Sequence, residues 1–269
     1  MAADRTLNTR VWTSGAGWPE LATDLPQRTA DVGLCLSGGG TRAQCAGIGQ
    51  LRGLRALGLL SETRYLSAVS GGSWAATPFT YYASGSDGDD QFLGPVTAPE
   101  DLTMASLTAE IPRDQAIWTA TQALNSTFVR LAAKVSSSRI WSETAGELFF
   151  APWGLHRDGL RFSLDDASVA DIRSRNPSLA DAPFAVARPH RPFLIVNGSV
   201  LGDSLLNPLK DVQPAALDMT PLYCGTARQH DMLCVSRNGA WKQHDLGDVL
   251  IEPFALGSAT PAAISDGFA

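Results

Sequence analysis

Asp31-Val32-Gly33-Leu34-Cys35-Leu36-Ser37-Gly38-Gly39-Gly40-Thr41-Arg42-Ala43 is the stretch whose reading decides the fold. Leu34, Cys35 and Leu36 form a short apolar run bounded by turn residues, the pattern of a buried strand. Three successive glycines then permit backbone angles and close approaches that a Cβ would block. From Ala43 to Leu60 a helix is predicted, with Ile48, Leu51, Leu54 and Leu57 along one side. A glycine loop opening a helix leaves backbone N–H groups unpaired at the positive end of the helix dipole. Such a site suits an anion, either a phosphate or an oxyanion formed during a reaction.

The pattern continues outward. Tyr65-Leu66-Ser67-Ala68-Val69-Ser70 predicts a second strand, Gly71-Gly72 a sharp turn, and Ser73-Trp74-Ala75-Ala76 a helix interrupted or bent near Pro78. This alternation over residues 33–82 predicts an α/β domain with a parallel sheet. Ser70 lies in Ala68-Val69-Ser70-Gly71-Gly72, close to the nucleophile elbow G-x-S-x-G, with Ala68 replacing the first glycine. Ser67 and Ser73 are nearby, but neither occupies the turn. Neighbouring parallel strands open their carboxyl ends into one crevice, where ligands bind. The Gly38–Gly40 loop and Ser70 are both expected there. Backbone N–H groups at Gly39 and Gly40 would then stabilise the oxyanion formed when Ser70 attacks an ester carbonyl.

With 269 residues the chain can form one large domain or two small ones. Apolar residues at 44% and charged residues at 18% fit an ordinary globular protein. A net charge of −6 argues against general nucleic-acid binding, which needs Lys and Arg to neutralise phosphates. The first residues show no signal-peptide pattern, and no run of apolar residues is long enough to cross a membrane. Cys35, Cys45, Cys224 and Cys234 form no C-x-x-C pair, so they read as reduced core or near-core thiols, a Cys224–Cys234 bridge being the alternative. No metal or cofactor is expected. His156, His190, His230 and His244 read as surface residues.

Residues 1–30, with Trp12, Trp18, Pro19 and Pro26, read as an N-terminal arm, and 31–269 as the main domain. The polar run at 83–90 marks the edge of a helical insertion at about 84–155. Within it, Asp114 to Val135 carries an apolar stripe (Ile117, Ala120, Leu124, Phe128, Leu131, Val135) that predicts one helix, either core or a lid. The aromatic cluster Trp141, Phe149, Phe150 and Trp153 reads as core or as a rim touching a membrane surface. Further on, Phe193 to Asn197 predicts a buried strand and Thr220 to Cys224 an extended segment. Two strands are expected to flank Asn238-Gly239, and 252–264 is expected to be partly helical.

Ser37-Gly38-Gly39-Gly40-Thr41-Arg42-Ala43, together with Val69-Ser70-Gly71-Gly72-Ser73-Trp74, resembles the patatin-like phospholipases, nearest to their group IV cytosolic phospholipase A2 branch. The resemblance is specific over 31–82 and weaker over 191–224. It implies a three-layer α/β/α fold, related to the α/β-hydrolases, and lipid acyl hydrolysis of phospholipase A or lysophospholipase type through a Ser–Asp dyad. Ser70 would be the nucleophile. Gly38, Gly39, Gly40, Thr41, Arg42 and Gly71 would form the oxyanion and substrate-binding set, with Arg42 engaging a lipid phosphate. The implied partner is a membrane phospholipid or lysophospholipid. The implied location is cytoplasmic with transient peripheral membrane contact.

The family aspartate is expected in a late Asp-Gly motif, and only Asp266-Gly267 is present. Asp266 is then a divergent base, or the base lies on a second polypeptide carrying the rest of the domain. Two other readings compete. Gly38-x-Gly40-x-x-Ala43 also fits a nucleotide-binding Rossmann-like loop, although no acidic residue ends the second strand. A catalytically silent lipid-binding relative would keep the groove without a working base.

Overall fold

The computed structural model describes residues 7–12, 18–23, 25, 32–82, 88–122, 124–137, 139–200, 215–226, 231–235, 241–245 and 249–256. In chain order the strands are β1 (Val11–Trp12), β2 (Val32–Leu36), β3 (Thr63–Val69), β4 (Arg161–Ser163), β5 (Phe184–Val186), β6 (Phe193–Val200), β7 (Ala215–Met219), β8 (Cys224–Thr226), β9 (Asp231–Val235), β10 (Trp241–Asp245) and β11 (Val249–Ile251). The α-helices are α1 (Gly40–Ala56), α2 (Gly71–Tyr81), α3 (Gly88–Leu93), α4 (Met104–Thr108), α5 (Ile117–Ala120), α6 (Leu124–Ala132), α7 (Ile140–Ala145) and α8 (Asp166–Arg175). The protein is therefore mixed α/β. Its contacts divide it into two units, one of residues 28–160 and 187–194, the other of 1–27, 161–186 and 195–269.

In the first unit β2 and β3 pair in parallel, Leu36 opposite Ala68. Helices α1 and α2 pack together where a Cβ on Gly47 would come within 3.3 Å of Ala75 Cβ and Leu36 Cδ1. Of the expected apolar side of α1, Ile48 and Leu51 are buried, whereas Leu57 is 72% exposed. A spacing of three loses about 60° of helical phase per step, so Leu57 falls on the face opposite Ile48. The helix ends there, at Gly58 with φ +71°. Helix α2 continues through Pro78 rather than breaking. Strand β2 buries only Leu36, and Cys35 is exposed, as is Cys45. Those two thiols are therefore not core residues.

The single helix expected over 114–135 is two, α5 and α6. Thr119 and Thr121 hydroxyls donate to the carbonyls of Ala116 and Trp118, and the Gln122 amide also donates to Trp118. Side chains thus occupy carbonyls that a continuing helix would use. The aromatic cluster is mostly core. Leu148, Phe149 and Trp153 are buried, while Trp141 remains 50% exposed. Trp74 of α2 stacks on Phe149 with ring centroids 4.0 Å apart and 10° between planes.

The second unit is largely antiparallel. Its sheet runs β1-β11-β8-β7-β6, and β9 pairs with β10 as a separate ribbon. Strands β2 and β3 pair in parallel, as do β4 and β5. Residues 220–223 are a turn, not an extended segment. The Thr220 hydroxyl accepts from the N–H groups of Leu222 and Tyr223, and Pro221 fixes φ. Ile172, Leu179 and Phe254 form a core cluster. Cys224 is a buried free thiol that burial, with Asp218, pushes up to about 11. Trp18 lies 6.1 Å from Tyr223. Residues 253–255 form one 3-10 turn; Asn238, Gly239 and residues 257–264 lie outside the described residues.

A charged clip ties 187–194 to the first unit. Arg188 and Arg191 both donate to the Asp89 carboxylate, and the Arg191 guanidinium lies 3.8 Å from the centroid of the Phe79 ring. Burial works to raise the Asp89 carboxyl, but the two arginines outweigh it and hold it at about 2, below its ordinary 3.8. The folded state therefore binds fewer protons than the unfolded state between those values. The resulting stability, on the order of 2 kcal/mol, is complete above about pH 5 and is lost as pH falls from 4 through 2. Urea midpoints measured from pH 6 to pH 2.5 are expected to fall more steeply in the parent chain than in Asp89→Asn.

Candidate active site

The β2–β3 register brings the glycine loop and Ser70 together, because both follow the carboxyl ends of paired parallel strands. A Cβ on Gly38 would lie 3.1 Å from Ser70 Cβ and 3.5 Å from the Val69 carbonyl oxygen. A Cβ on Gly71 would lie 2.0 Å from the Gly40 carbonyl oxygen, and one on Gly72 would lie 2.6 Å from that of Leu36. Two backbone segments are thus in direct contact, and only glycine permits it.

Ser70 has φ 51° and ψ −125°, an uncommon conformation for a residue with a side chain. Such a residue costs roughly 1–3 kcal/mol and persists only where its surroundings over-determine it. It occupies the N-cap of α2, yet its hydroxyl does not cap the helix. A serine in that position normally adopts extended angles and satisfies a backbone N–H of the first turn. Positive φ turns the hydroxyl away from that role. Ser70 is exposed, and its hydroxyl makes no hydrogen bond among the described residues.

Two helix N-termini converge on this serine. Helix α1 starts at Gly40, capped by Gly39 (φ 136°), which has no side chain to satisfy the first-turn donors. The N–H groups of Gly39, Gly40, Thr41 and Arg42 therefore lack intrahelical partners. Gly71 opens α2 in the same way. The two dipoles add a positive potential beside Ser70. Arg42 is exposed and makes no ion pair among the described residues. Asp266 lies outside the described residues, as do Asp203, Asp248 and His230.

Ser73 has a role that composition and motif did not suggest. It is buried, and both its N–H (2.9 Å) and its hydroxyl (2.5 Å) donate to the Ser70 carbonyl oxygen. Its hydroxyl is thus engaged in holding the turn. The spacing of three residues at a helix start was the available signal. His156 is exposed, with Nε2 3.2 Å from Glu143 Oε2. Among the described residues no group of three metal-ligating side chains occurs.

The geometry defines a serine held on a strained turn beside a glycine backbone loop. Comparison with known proteins gives the relation. No family model matches the chain. Cytosolic phospholipase A2 zeta of the mouse is 47% identical over 70 residues, which are 26% of this chain and 8% of that protein. The solved structure of human GIVD cytosolic phospholipase A2 overlaps 77% of this chain and 24% of its own, with 17% identity and a TM-score of 0.38. The same human protein in complex with methyl gamma-linolenyl fluorophosphonate gives 16% identity and a TM-score of 0.32, over 77% of this chain and 25% of its own. The chain is related to the cytosolic phospholipase A2 proteins through that shared segment, and it matches a small part of their length.

The contact between glycines sets a stability test. Gly71→Ala should destabilise by at least about 3 kcal/mol in urea unfolding, because its Cβ meets backbone that cannot move aside. Gly33→Ala, where nothing lies within 4 Å, should change the midpoint little.

Proposed function

We propose that this chain is a lipid acyl hydrolase of phospholipase A or lysophospholipase type. The observation that carries the reading is the exposed, positive-φ Ser70 flanked by Gly38 and two open helix N-termini. The relation to a protein named as a phospholipase A2 supports the same chemistry.

In the proposed reaction the Ser70 Oγ attacks the acyl carbonyl, and an aspartate takes its proton. The carbonyl electron pair moves to oxygen, where N–H groups drawn from Gly38–Gly40 and Gly71 donate to the oxyanion. One such donor contributes on the order of 3 kcal/mol in the transition state. Collapse breaks the bond to the alcohol, which leaves with the proton. Water then attacks the acyl-enzyme and releases the fatty acid. Arg42, at the mouth of the loop, is proposed to hold the lipid phosphate. Asp266 is the proposed base.

The substrate side rests on the aromatic face. Trp74 follows Ser70 by one helical turn and stacks on Phe149, and the half-exposed Trp141 lies 6.2 Å from Trp74. An acyl chain would meet apolar rings there, and a peripheral membrane contact fits the same surface. Among the described residues no helix is long and apolar enough to cross a membrane. We further propose a three-layer arrangement for residues 31–269, with 84–155 as a helical insertion and 1–30 as an arm.

A fluorophosphonate probe tests the assignment. The parent chain should label at Ser70, identified by mass spectrometry, and Ser70→Ala should not label. Labelling that persists in Ser70→Ala sinks the assignment. Asp266→Asn should slow labelling and phospholipid hydrolysis by about 10³-fold if Asp266 is the base. An unchanged rate moves that role to another acid.

A further inference from the structure

At the end of α1 remote from the glycine loop lies a cavity of about 500 Å³. Arg52 and Arg55 of α1, Asp90 and Leu93 of α3, and Gly94 and Val96 beyond α3 form its wall. Fifteen residues of helix separate Gly40 from Arg55, about 22 Å at 1.5 Å each, so this cavity is distinct from the site at Ser70.

The two arginines are held differently. Arg52 Nε donates to the Leu93 carbonyl at 2.7 Å, and its Nη2 donates to the same oxygen. Two of its nitrogens are thus anchored on the last carbonyl of α3. Gly94, with φ +76°, makes room for this, since a Cβ there would lie 3.0 Å from Arg52 Nη2 and 2.6 Å from Gln115 Oε1. The third nitrogen, Nη1, makes no hydrogen bond among the described residues. Arg55 gives only Nη1 to Asp90, at 2.7 Å, leaving Nε and Nη2 without partners among the described residues.

The single carboxylate at the wall is weakly committed. The Asp90 side chain is 83% exposed, and an ion pair of that kind contributes little and is screened by salt. Behind it, Asp89 is shared by Arg188 and Arg191. Among the described residues, Arg52 and Arg55 stand at the wall with Asp90, and Arg188 and Arg191 with Asp89. The positive excess, the open guanidinium edges and one prefixed arginine match a phosphate better than a monovalent carboxylate.

We propose that the cavity between the C-terminal half of α1 and the end of α3 binds a phosphomonoester or pyrophosphate group. The group displaces Asp90 from Arg55 and accepts hydrogen bonds from Arg55 and from Nη1 of Arg52. It comes from a soluble phosphorylated molecule or from a phosphomonoester lipid head group. The exposed Val96 on the wall and Leu57 after α1 would border the latter.

The test uses the full chain and inorganic pyrophosphate in isothermal titration calorimetry. Saturable binding is expected, weakened about tenfold in Arg55→Gln. It should tighten about threefold in Asp90→Asn, which removes the competing carboxylate. Thermal melts of both variants check that they stay folded. Co-sedimentation with phosphatidylcholine vesicles, with and without phosphatidic acid, separates the sources. Phosphatidic-acid-dependent sedimentation that Arg55→Gln abolishes assigns the lipid head group, and pyrophosphate binding without it assigns a soluble ligand. Absence of both kinds of binding, or binding that neither variant alters, overturns the proposal. Fluorophosphonate labelling of Ser70 should be equal in all three chains, so this result stands apart from the hydrolase assignment.

Discussion

The first unit depends on one backbone-to-backbone contact, the Gly71–Gly72 turn lying against Leu36, Ser37 and Gly40. Atoms that a side chain would normally hold apart are brought to the limit of approach. This contact sets the separation of the two parallel strand ends and places the starts of α1 and α2 side by side. It also fixes Ser70, whose Cβ is pressed toward Gly38. The positive φ of Ser70 is then a consequence of its surroundings, and the Ser73 hydroxyl and N–H secure the carbonyl that this conformation presents.

What was legible in the sequence was local. Glycines at 38–40 and 71–72 declare their turns through the absence of a Cβ, and the strand–loop–helix order follows from hydrophobic pattern over a few residues. Phe193 to Asn197 and the pair around Asn238-Gly239 were readable for the same reason: β6, β9 and β10 lie where pattern and turn residues put them. The proximity of Gly38 to Ser70 was reachable because parallel strands share an edge.

The remainder turned on interactions that a pattern does not carry. Leu57 shares the spacing of three with Ile48 and Leu51, yet helical phase carries it to the opposite face. The helix over 114–135 breaks because Thr119, Thr121 and Gln122 return their side chains to the backbone. Thr119 also receives a buried hydrogen bond from Gln44 of α1, 75 positions earlier. Thr220-Pro221 held a turn signal that the neighbouring apolar residues obscured. Cys35 is exposed while Leu36, next to it on β2, is buried, because alternate residues of a strand point to opposite faces, which composition alone does not show.

One consequence of the glycine contact concerns which sequences this fold can accept. At Gly71 and Gly72 the permitted alphabet shrinks to a single letter, since even the smallest side chain overlaps backbone atoms. At Gly33, a short way upstream, the same substitution meets open space. Information in this region is therefore concentrated in a few sites separated by freely variable ones. A sequence drifting under selection for this turn would keep those letters while losing most of its other likenesses.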